Sequence, residues 1–176
     1  MADTPAIDAA RIRLEPFAER HVSDMYVAWL NDPQVVRFSR QRHRKHTRED
    51  CLGFLRSFAG SDNLFWAIVL RENGAHLGNI TVDVEPHDKV ASVNILVGAT
   101  SEWGKGYGFE AFDAACTYLL RSRGMRKVFA GTMETNAPMR RLMQKCGMAE
   151  EARFEQHYFW EGAPIAKVFG AKFSDT

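Results

Sequence analysis

The chain has 176 residues, of which 23 are Lys or Arg and 22 are Asp or Glu, so its formal net charge is only +1. This balance argues against a chain built as a whole to bind nucleic acid or an anionic membrane. Its length and its 45% hydrophobic content suffice for one core without disulfides, and its longest apolar run, residues 64–70, is far too short to span a membrane.

The first ten residues lack the apolar stretch of a signal peptide, and we expect residues 1–10 to form a loose arm ahead of a single domain over residues 11–176. The three cysteines are Cys51, Cys116 and Cys146. Because they are odd in number and far apart, they favour reduced core thiols in a cytoplasmic protein over disulfides or a metal site.

The first half of the chain predicts two helices and an antiparallel meander. A strand over residues 11–15 precedes a helix from about residue 19 to 30, and a second helix runs from the N-cap Thr47 to Gly60. Strands are then predicted over residues 64–70, 77–84 and 91–97. Asn73-Gly74 between the first two is a strong hairpin signal, so these strands should be antiparallel neighbours.

Cations are concentrated between the two helices, over residues 37–48. They are Arg37, Arg40, Arg42, Arg44, Lys45 and Arg48. A run of like charges is most often a solvated loop. The other interpretation is a cationic rim that binds an acceptor carrying phosphate or carboxylate. The residues alone leave both open.

Three alternate glycines follow the strand 91–97: Gly104, Gly106 and Gly108 open a helix. Their backbone N–H groups can converge at the positive end of the helix dipole, which is how a phosphate is bound. The dinucleotide-binding fingerprint is excluded because Phe109 occupies the position of its third glycine. A P-loop is excluded because Gly106 occupies the position at which that motif has a Ser or Thr hydroxyl. A tight turn without any ligand is the competing interpretation.

The last third of the chain predicts a parallel strand, a short helix and a closing hairpin. The strand 128–133 is reached through a helical crossover, so it should run parallel to the strand 91–97. Asn136 precedes a short helix that ends at Gly147, and strands over residues 153–160 and 168–173 complete the chain.

Three stretches resemble one family. WGKGYG, residues 103–108, resembles the pyrophosphate loop Q/R-x-x-G-x-G/A of the GNAT acyl-CoA N-acyltransferase superfamily, with Trp103 in place of Gln or Arg. NAPMRRLMQKCGM, residues 136–148, is similar to its second signature. WLNDPQVVRF, residues 29–38, resembles the branch that contains the ribosomal-protein alanine acetyltransferases. The resemblance covers about residues 11–173.

The resemblance implies an α+β (mixed) fold: a mostly antiparallel mixed sheet of about seven strands, flanked by about four helices, with the two parallel central strands 91–97 and 128–133 splayed apart. It also implies that acetyl-CoA lies in the gap and that no metal is needed. The cofactor residues that it implies are Leu96, Val97, Gly98, Trp103, Gly104, Lys105, Gly106, Tyr107, Gly108, Phe109, Asn136 and Met139.

The reaction implied by the resemblance is acetyl transfer to a primary amine, by direct attack of the amine on the thioester. Such a reaction uses a base for the amine and a proton donor for the leaving thiolate. Glu134 and Asp83 are acids at strand ends near the expected pocket. The tyrosine acid of many family members is replaced by Met143 here, so Tyr158 or His157 on the closing hairpin, or solvent, takes the role of donor.

The resemblance, together with the basic run, implies that the acceptor is bound by Trp29, Arg37, Arg42 and Arg44. An anionic acceptor fits these residues, and the two candidates are the amino group of a nucleotide-linked aminosugar and a protein N-terminus. The partners expected are acetyl-CoA and such an amine, with no membrane and no nucleic acid, and a homodimer is one option for assembly. The alternative function is a non-catalytic acyl-CoA-binding or assembly protein, because Trp103, Met139 and Met143 depart from the family pattern.

Overall fold

A computed structural model describes residues 4–174 as one mixed eight-stranded sheet with helices on both faces. The strands are β1 (Ile7–Asp8), β2 (Ile12–Pro16), β3 (Leu64–Leu70), β4 (His76–Glu85), β5 (Val90–Val97), β6 (Lys127–Met133), β7 (Ala149–Trp160) and β8 (Ala163–Phe173). Their order across the sheet is β1-β2-β3-β4-β5-β6-β8-β7. The helices are α1 (Asp24–Asn31), α2 (Arg48–Arg56), α3 (Tyr107–Thr117) and α4 (Ala137–Lys145).

The strand β1 was not predicted, and it adds an eighth strand to the seven expected. Within the arm predicted for residues 1–10, Ile7 pairs with Leu14 of β2, and the Trp66 indole donates a hydrogen bond of 2.7 Å to the carbonyl of Pro5. Residues 4–10 are therefore tied to the sheet instead of loose, and residues 1–3 lie outside the described part.

The predicted meander is confirmed. All seven residues of β3 are buried, and β3 pairs antiparallel with both β2 and β4. At the turn, Gly74 has a φ of 73°, which a residue with a side chain rarely adopts, and the Asn73 side chain accepts a hydrogen bond from Ala75 N–H. The local signal thus sets the register of the central strands.

The parallel strands β5 and β6 diverge, as predicted. They pair only at Val90–Lys127, Ala91–Val128 and Ser92–Phe129. From Val93 onward β5 pairs with β4 on one edge alone, while β6 continues to pair with β8. A wedge-shaped gap therefore opens between residues 93–97 and the second half of β6.

Two apolar clusters cover the two faces of the sheet. One packs α3 and α4 against it around Trp66 and Phe112, and the other packs α1 and α2 around Phe17 and Tyr26. Cys51, Cys116 and Cys146 are all buried and free. Within residues 4–174, no helix has both the length and the hydropathy of a membrane span.

The first helix starts later than predicted. Residues Glu19–His21 form a separate 3-10 turn, and α1 begins after Ser23, whose hydroxyl accepts a hydrogen bond from Tyr26 N–H. The closing hairpin is also longer than predicted, because β7 begins at Ala149 and not at Arg153.

Candidate active site

A cleft of about 1130 Å³ occupies the gap between β5 and β6. The free end of β5 and the loop of residues 102–109 form one wall, and the start of α4 forms another. The far end is closed by α1, α2 and the cation-rich residues 37–48, here called the basic segment. The divergence of the strands therefore produces one continuous groove, with the glycine loop at one end and the cations at the other.

The glycine loop presents unpaired backbone donors. Gly104 and Gly106 have φ angles of 80° and 88°, and α3 begins at Tyr107. Among the described residues, no protein acceptor binds an N–H group of residues 104–109; the neighbouring bond is Glu110 N–H to the carbonyl of Gly106. Free donors at a helix N-terminus can bind an anion such as a phosphate group.

Most of the predicted loop residues line the cleft: Trp103, Gly104, Gly106, Tyr107, Gly108 and Phe109. Lys105 does not. Its ammonium pairs with Glu102 at 3.0 Å, and its carbonyl accepts a hydrogen bond of 3.0 Å from Arg11. The lysine thus helps to hold the loop, while the backbone provides the anion site.

Arg11 and Glu110 hold the loop from below. Arg11 Nε donates to Glu110 Oε2 at 2.9 Å, and Glu110 also accepts the N–H groups of Arg11 and Ile12. Burial by itself would raise the pKa of Glu110, but these donors outweigh it and lower the pKa. The carboxylate is therefore ionised and fixes β2 to the start of α3. The sequence analysis missed this pair.

Trp103 does not act as the side-chain clamp that Gln or Arg would provide. Its indole N–H donates a hydrogen bond of 2.9 Å to the carbonyl of Val97. Trp103 thereby ties the loop to the last residue of β5, so that the two parts of the wall keep a fixed distance.

At the free end of β5, Leu96 and Val97 line the cleft as predicted, but Gly98 does not. Gly98 is buried beneath Trp29, whose ring atoms lie 2.0 Å from the position that a Cβ would take. Trp29 was predicted on the acceptor side; it is 8% exposed and supports the β5 end from behind instead of lining the cleft.

Asn136 caps α4 and also lines the cleft. Its Oδ1 accepts Met139 N–H at 3.3 Å, and its Nδ2 donates to Thr132 Oγ1 at 2.9 Å. Met139 lines the cleft beside it. Asn136 thus fixes where α4 starts, and it brings the first turn of that helix to the groove.

The acids chosen from the sequence lie elsewhere. The Glu134 carboxylate accepts Ala166 N–H at 2.7 Å and is ion-paired to Arg153, and these contacts lower its pKa. Asp83 is exposed and accepts a hydrogen bond from Asn94. Neither residue lines the cleft, so neither is placed to take a proton from a substrate there. Tyr158 does line it, half-buried.

Two carboxylates, Asp50 and Glu102, line the cleft, and each already has partners. Asp50 accepts hydrogen bonds from the hydroxyl and the N–H of Thr47, which lower its pKa, and Glu102 pairs with Lys105. The cations that line the cleft are Arg37, Arg40, Arg44, Arg141, Lys145 and Lys167. The groove is therefore predominantly positive.

The basic segment, residues 37–48, packs against the closing hairpin, and its cations other than Arg42 are exposed, as both a solvated loop and a cationic rim require. Phe38 stacks on Trp160 with ring centroids 5.3 Å apart, and Arg37 pairs with Glu161 at 2.9 Å. Arg42 does not line the main cleft. It stands 5.1 Å from the centre of the Trp160 ring and lines an adjoining cavity of about 600 Å³, to which Arg44 also contributes.

A comparison with protein families identifies the chain. A family model described as "Acetyltransferase (GNAT) domain" matches residues 11–149. The chain belongs to the GNAT acetyltransferase family. No match was found among curated proteins.

Solved structures of GNAT acetyltransferases share the fold. A GNAT family acetyltransferase from Bacillus anthracis aligns with a TM-score of 0.82 at 20% identity, covering 96% of this chain and 98% of the other. A ribosomal L7/L12 alpha-N-protein acetyltransferase in complex with coenzyme A gives 0.85 at 14% identity, with coverages of 97% and 99%. A spermidine N-acetyltransferase from Vibrio cholerae in complex with CoA and spermine gives 0.83 at 12% identity, with coverages of 93% and 96%.

GNAT acetyltransferases use acetyl-CoA, and the cleft of this one fits it. The unpaired N–H groups of residues 104–109 suit the diphosphate, and the edge of β5 beyond Ser92, which does not pair with β6, suits an amide-bearing arm. Among residues 4–174, no cluster of His, Cys, Asp or Glu could hold a metal ion.

Proposed function

We propose that this GNAT acetyltransferase transfers the acetyl group of acetyl-CoA to a primary amine whose carrier bears an anionic group. The observation that supports the proposal is the charge of the groove, which six Arg and Lys side chains line against two carboxylates. At its acceptor end Arg37 is paired with Glu161 and Arg44 lies 3.9 Å from Asp50, whereas Arg40 has no carboxylate partner among residues 4–174. Arg37 and Arg44 are 54% and 60% exposed, so their guanidinium groups are open to a phosphate or carboxylate that enters this end of the cleft.

Different residues of the chain have different proposed roles in acetyl transfer. The amides of residues 104–109 bind and orient the diphosphate, and an N–H on the free edge of β5 hydrogen-bonds the carbonyl oxygen as it becomes an oxyanion. Acetyl-CoA supplies the activated thioester. The amine nitrogen forms the new C–N bond as the C–S bond breaks, its proton passes to water in the open cleft, and Tyr158 is the proposed proton donor to the thiolate.

The positive charge of the side chains at the acceptor end of the cleft is the basis for the acceptor class that we propose. Among the structural neighbours, one is named for a ribosomal protein N-terminus and one for spermidine. A polycation such as spermidine would be repelled by Arg37, Arg40 and Arg44. We therefore favour an aminosugar that carries phosphate, or the N-terminus of an acidic protein segment. The buried, free cysteines fit a reducing cytoplasm, which we propose as the compartment.

A panel of amines tests the proposal: glucosamine 6-phosphate, a UDP-linked aminosugar, a peptide with an acidic N-terminal segment, and spermidine, each assayed with acetyl-CoA by release of the free thiol. We expect turnover of anionic amines and little of spermidine. The charge reversal Arg44→Glu should lower kcat/KM for the anionic amines by about three- to tenfold, since Arg44 is 60% exposed and solvent screens an ion pair there to about 1 kcal/mol, while the reversal adds a repulsion.

The matched control is Arg121→Glu, because Arg121 is exposed and does not line the cleft. A preference for spermidine, or equal effects of the two reversals, would contradict the anionic acceptor. In parallel, Gly106→Glu should abolish acetyl-CoA binding in calorimetry, because Gly106 has a φ of 88° and a carboxylate would sit among the donors. Cofactor binding without turnover of any amine would favour the non-catalytic alternative.

A further inference from the structure

Asn79 lies on the floor of the cleft and has an unmet hydrogen-bonding group. It stands on β4 opposite Leu96 in the register with β5, is 8% exposed, and lines the cleft. Within residues 4–174, its Oδ1 is the buried side-chain polar atom that has no hydrogen-bond partner.

The fold does not need this carboxamide. A buried carbonyl oxygen without a partner costs about 1–3 kcal/mol, and neighbouring positions on β4 are filled by apolar residues such as Leu77 and Ile80, which are buried. Other asparagines are engaged by the protein: Asn63 accepts Val84 N–H at 2.9 Å, and Asn136 caps α4. An asparagine retained at a cost to stability points to a partner that is not part of the chain.

The surroundings of Asn79 indicate what that partner does. Tyr26 and Cys51 line the same cleft, and burial raises the pKa of both, so neither supplies a charge to it. Across the ladder from Asn79 stands Leu96, on the end of β5 that does not pair with β6. Asn79 is thus a neutral polar group that lines the cleft beside the free end of β5, the strand proposed to supply the oxyanion donor.

We propose that the Asn79 carboxamide binds the reacting amine, with its oxygen accepting an amine N–H and holding the nitrogen lone pair toward the thioester carbonyl. The oxygen faces inward in the structure. A half-turn about χ2 exchanges the two amide atoms, and the oxygen has no hydrogen bond to lose in that turn. Asn79 forms no covalent bond and takes no proton, since the amine proton leaves to water as described above.

This inference rests on the proposed function but concerns the amine itself, whatever group its carrier bears. The test compares Asn79→Leu, which keeps the size and removes the acceptor, with Asn79→Asp, which keeps an oxygen. For Asn79→Leu we expect kcat/KM for the best amine of the panel to fall by about 30-fold, as for a lost hydrogen bond to a reacting group. Acetyl-CoA affinity should stay within about twofold and Tm should be equal or higher. Asn79→Asp should recover most of kcat/KM.

The matched control is Asn63→Leu, which removes a carboxamide that holds the backbone of β4 outside the cleft. It should lower Tm while leaving kcat/KM per folded molecule near that of the parent, which is the reverse of Asn79→Leu. Unchanged kcat/KM in Asn79→Leu, or a parallel loss of acetyl-CoA affinity, would overturn the role of Asn79 and leave the anionic acceptor standing. No turnover with any amine would overturn both.

Discussion

The indole of Trp29 occupies the space in which a side chain at position 98 would lie. Three of its ring atoms are 2.0–2.4 Å from the ideal Cβ position of Gly98, and Gly98 N–H and Ala99 N–H both donate to the carbonyl of Leu77. The chain can therefore leave β5 only by passing directly beneath α1. This contact fixes the position of the end of β5 relative to α1, and with it the position of the groove wall that β5 forms.

Gly98→Ala should destabilise the protein by about 1–3 kcal/mol, because the new methyl group overlaps a buried ring that has no room to move. Urea unfolding measures the loss. Gly53→Ala is the matched control: Gly53 lies in α2 with no atom within 4 Å of its Cβ position, and the change should stabilise by up to about 1 kcal/mol. Equal free energies of unfolding for the two variants would show that the contact with Trp29 is not tight.

Much of the fold was accessible from the sequence because its signals are local. The turn at Asn73-Gly74, the caps Thr47 and Asn136, and the apolar strand at residues 64–70 each specify their own element. The strand β1 could not be found in this way. Ile7 and Asp8 are too few to show a period, and they are held by backbone pairing with β2.

The site was less accessible, because its contacts join distant parts of the chain. Arg11 and Glu110 are 99 residues apart, and no pattern links them. Glu134 was chosen because it follows a central strand, but a strand end does not reveal which side of the sheet the side chain takes. It turns to Arg153 on the closing hairpin. Asn79 gives no signal in the sequence at all, since only burial shows that its oxygen is unpaired.

Arg11 should affect cofactor binding although it does not line the cleft. Arg11→Met removes the donors to Lys105 and Glu110, which frees the loop whose amides form the anion site. We expect the Kd for acetyl-CoA in calorimetry to rise by about tenfold, equivalent to about 1.4 kcal/mol. The control is Arg71→Met, which removes a donor to Ala9 at the same sheet edge but away from the loop. The expectation fails if both variants bind acetyl-CoA equally well.

Two tryptophans, Trp103 in the groove wall and Trp160 at the adjoining cavity, should have separable effects. Trp103→Phe removes the hydrogen bond to Val97 and should weaken acetyl-CoA binding about fivefold, with little change in the KM for the amine. Trp160→Ala removes the ring that packs on Phe38 and Arg42, and should raise the KM for an anionic amine while acetyl-CoA binding is kept. Steady-state kinetics with each substrate varied in turn would reveal the pattern. Both constants changing together in either variant would mean that the two regions are coupled.

Acid should destabilise the protein through His76. His76 is surrounded by Phe17, Tyr26 and Trp29, and its Nε2 lies 2.9 Å from the carbonyl of Gly78, so the neutral ring donates there. Burial, aided by the nearby His21, lowers the pKa of His76 from 6.5 to about 4. Since the folded state resists a proton that the unfolded state accepts, the stabilisation is complete above pH 6.5 and is lost as the pH falls toward 4.

The effect of His76 on stability can be isolated by substitution. Between pH 7 and pH 4.5, the free energy of unfolding should fall by about 2–3 kcal/mol on account of this residue. Glutamine retains a donor and does not titrate, so His76→Gln should flatten that part of the curve. The pKa of His21 is lowered as well, chiefly by burial and by Arg20 although Glu15 opposes the shift, so a smaller slope should persist in the variant. His87→Gln, at an exposed turn, should keep the full slope, and a variant at position 76 that also kept it would place the acid sensitivity elsewhere.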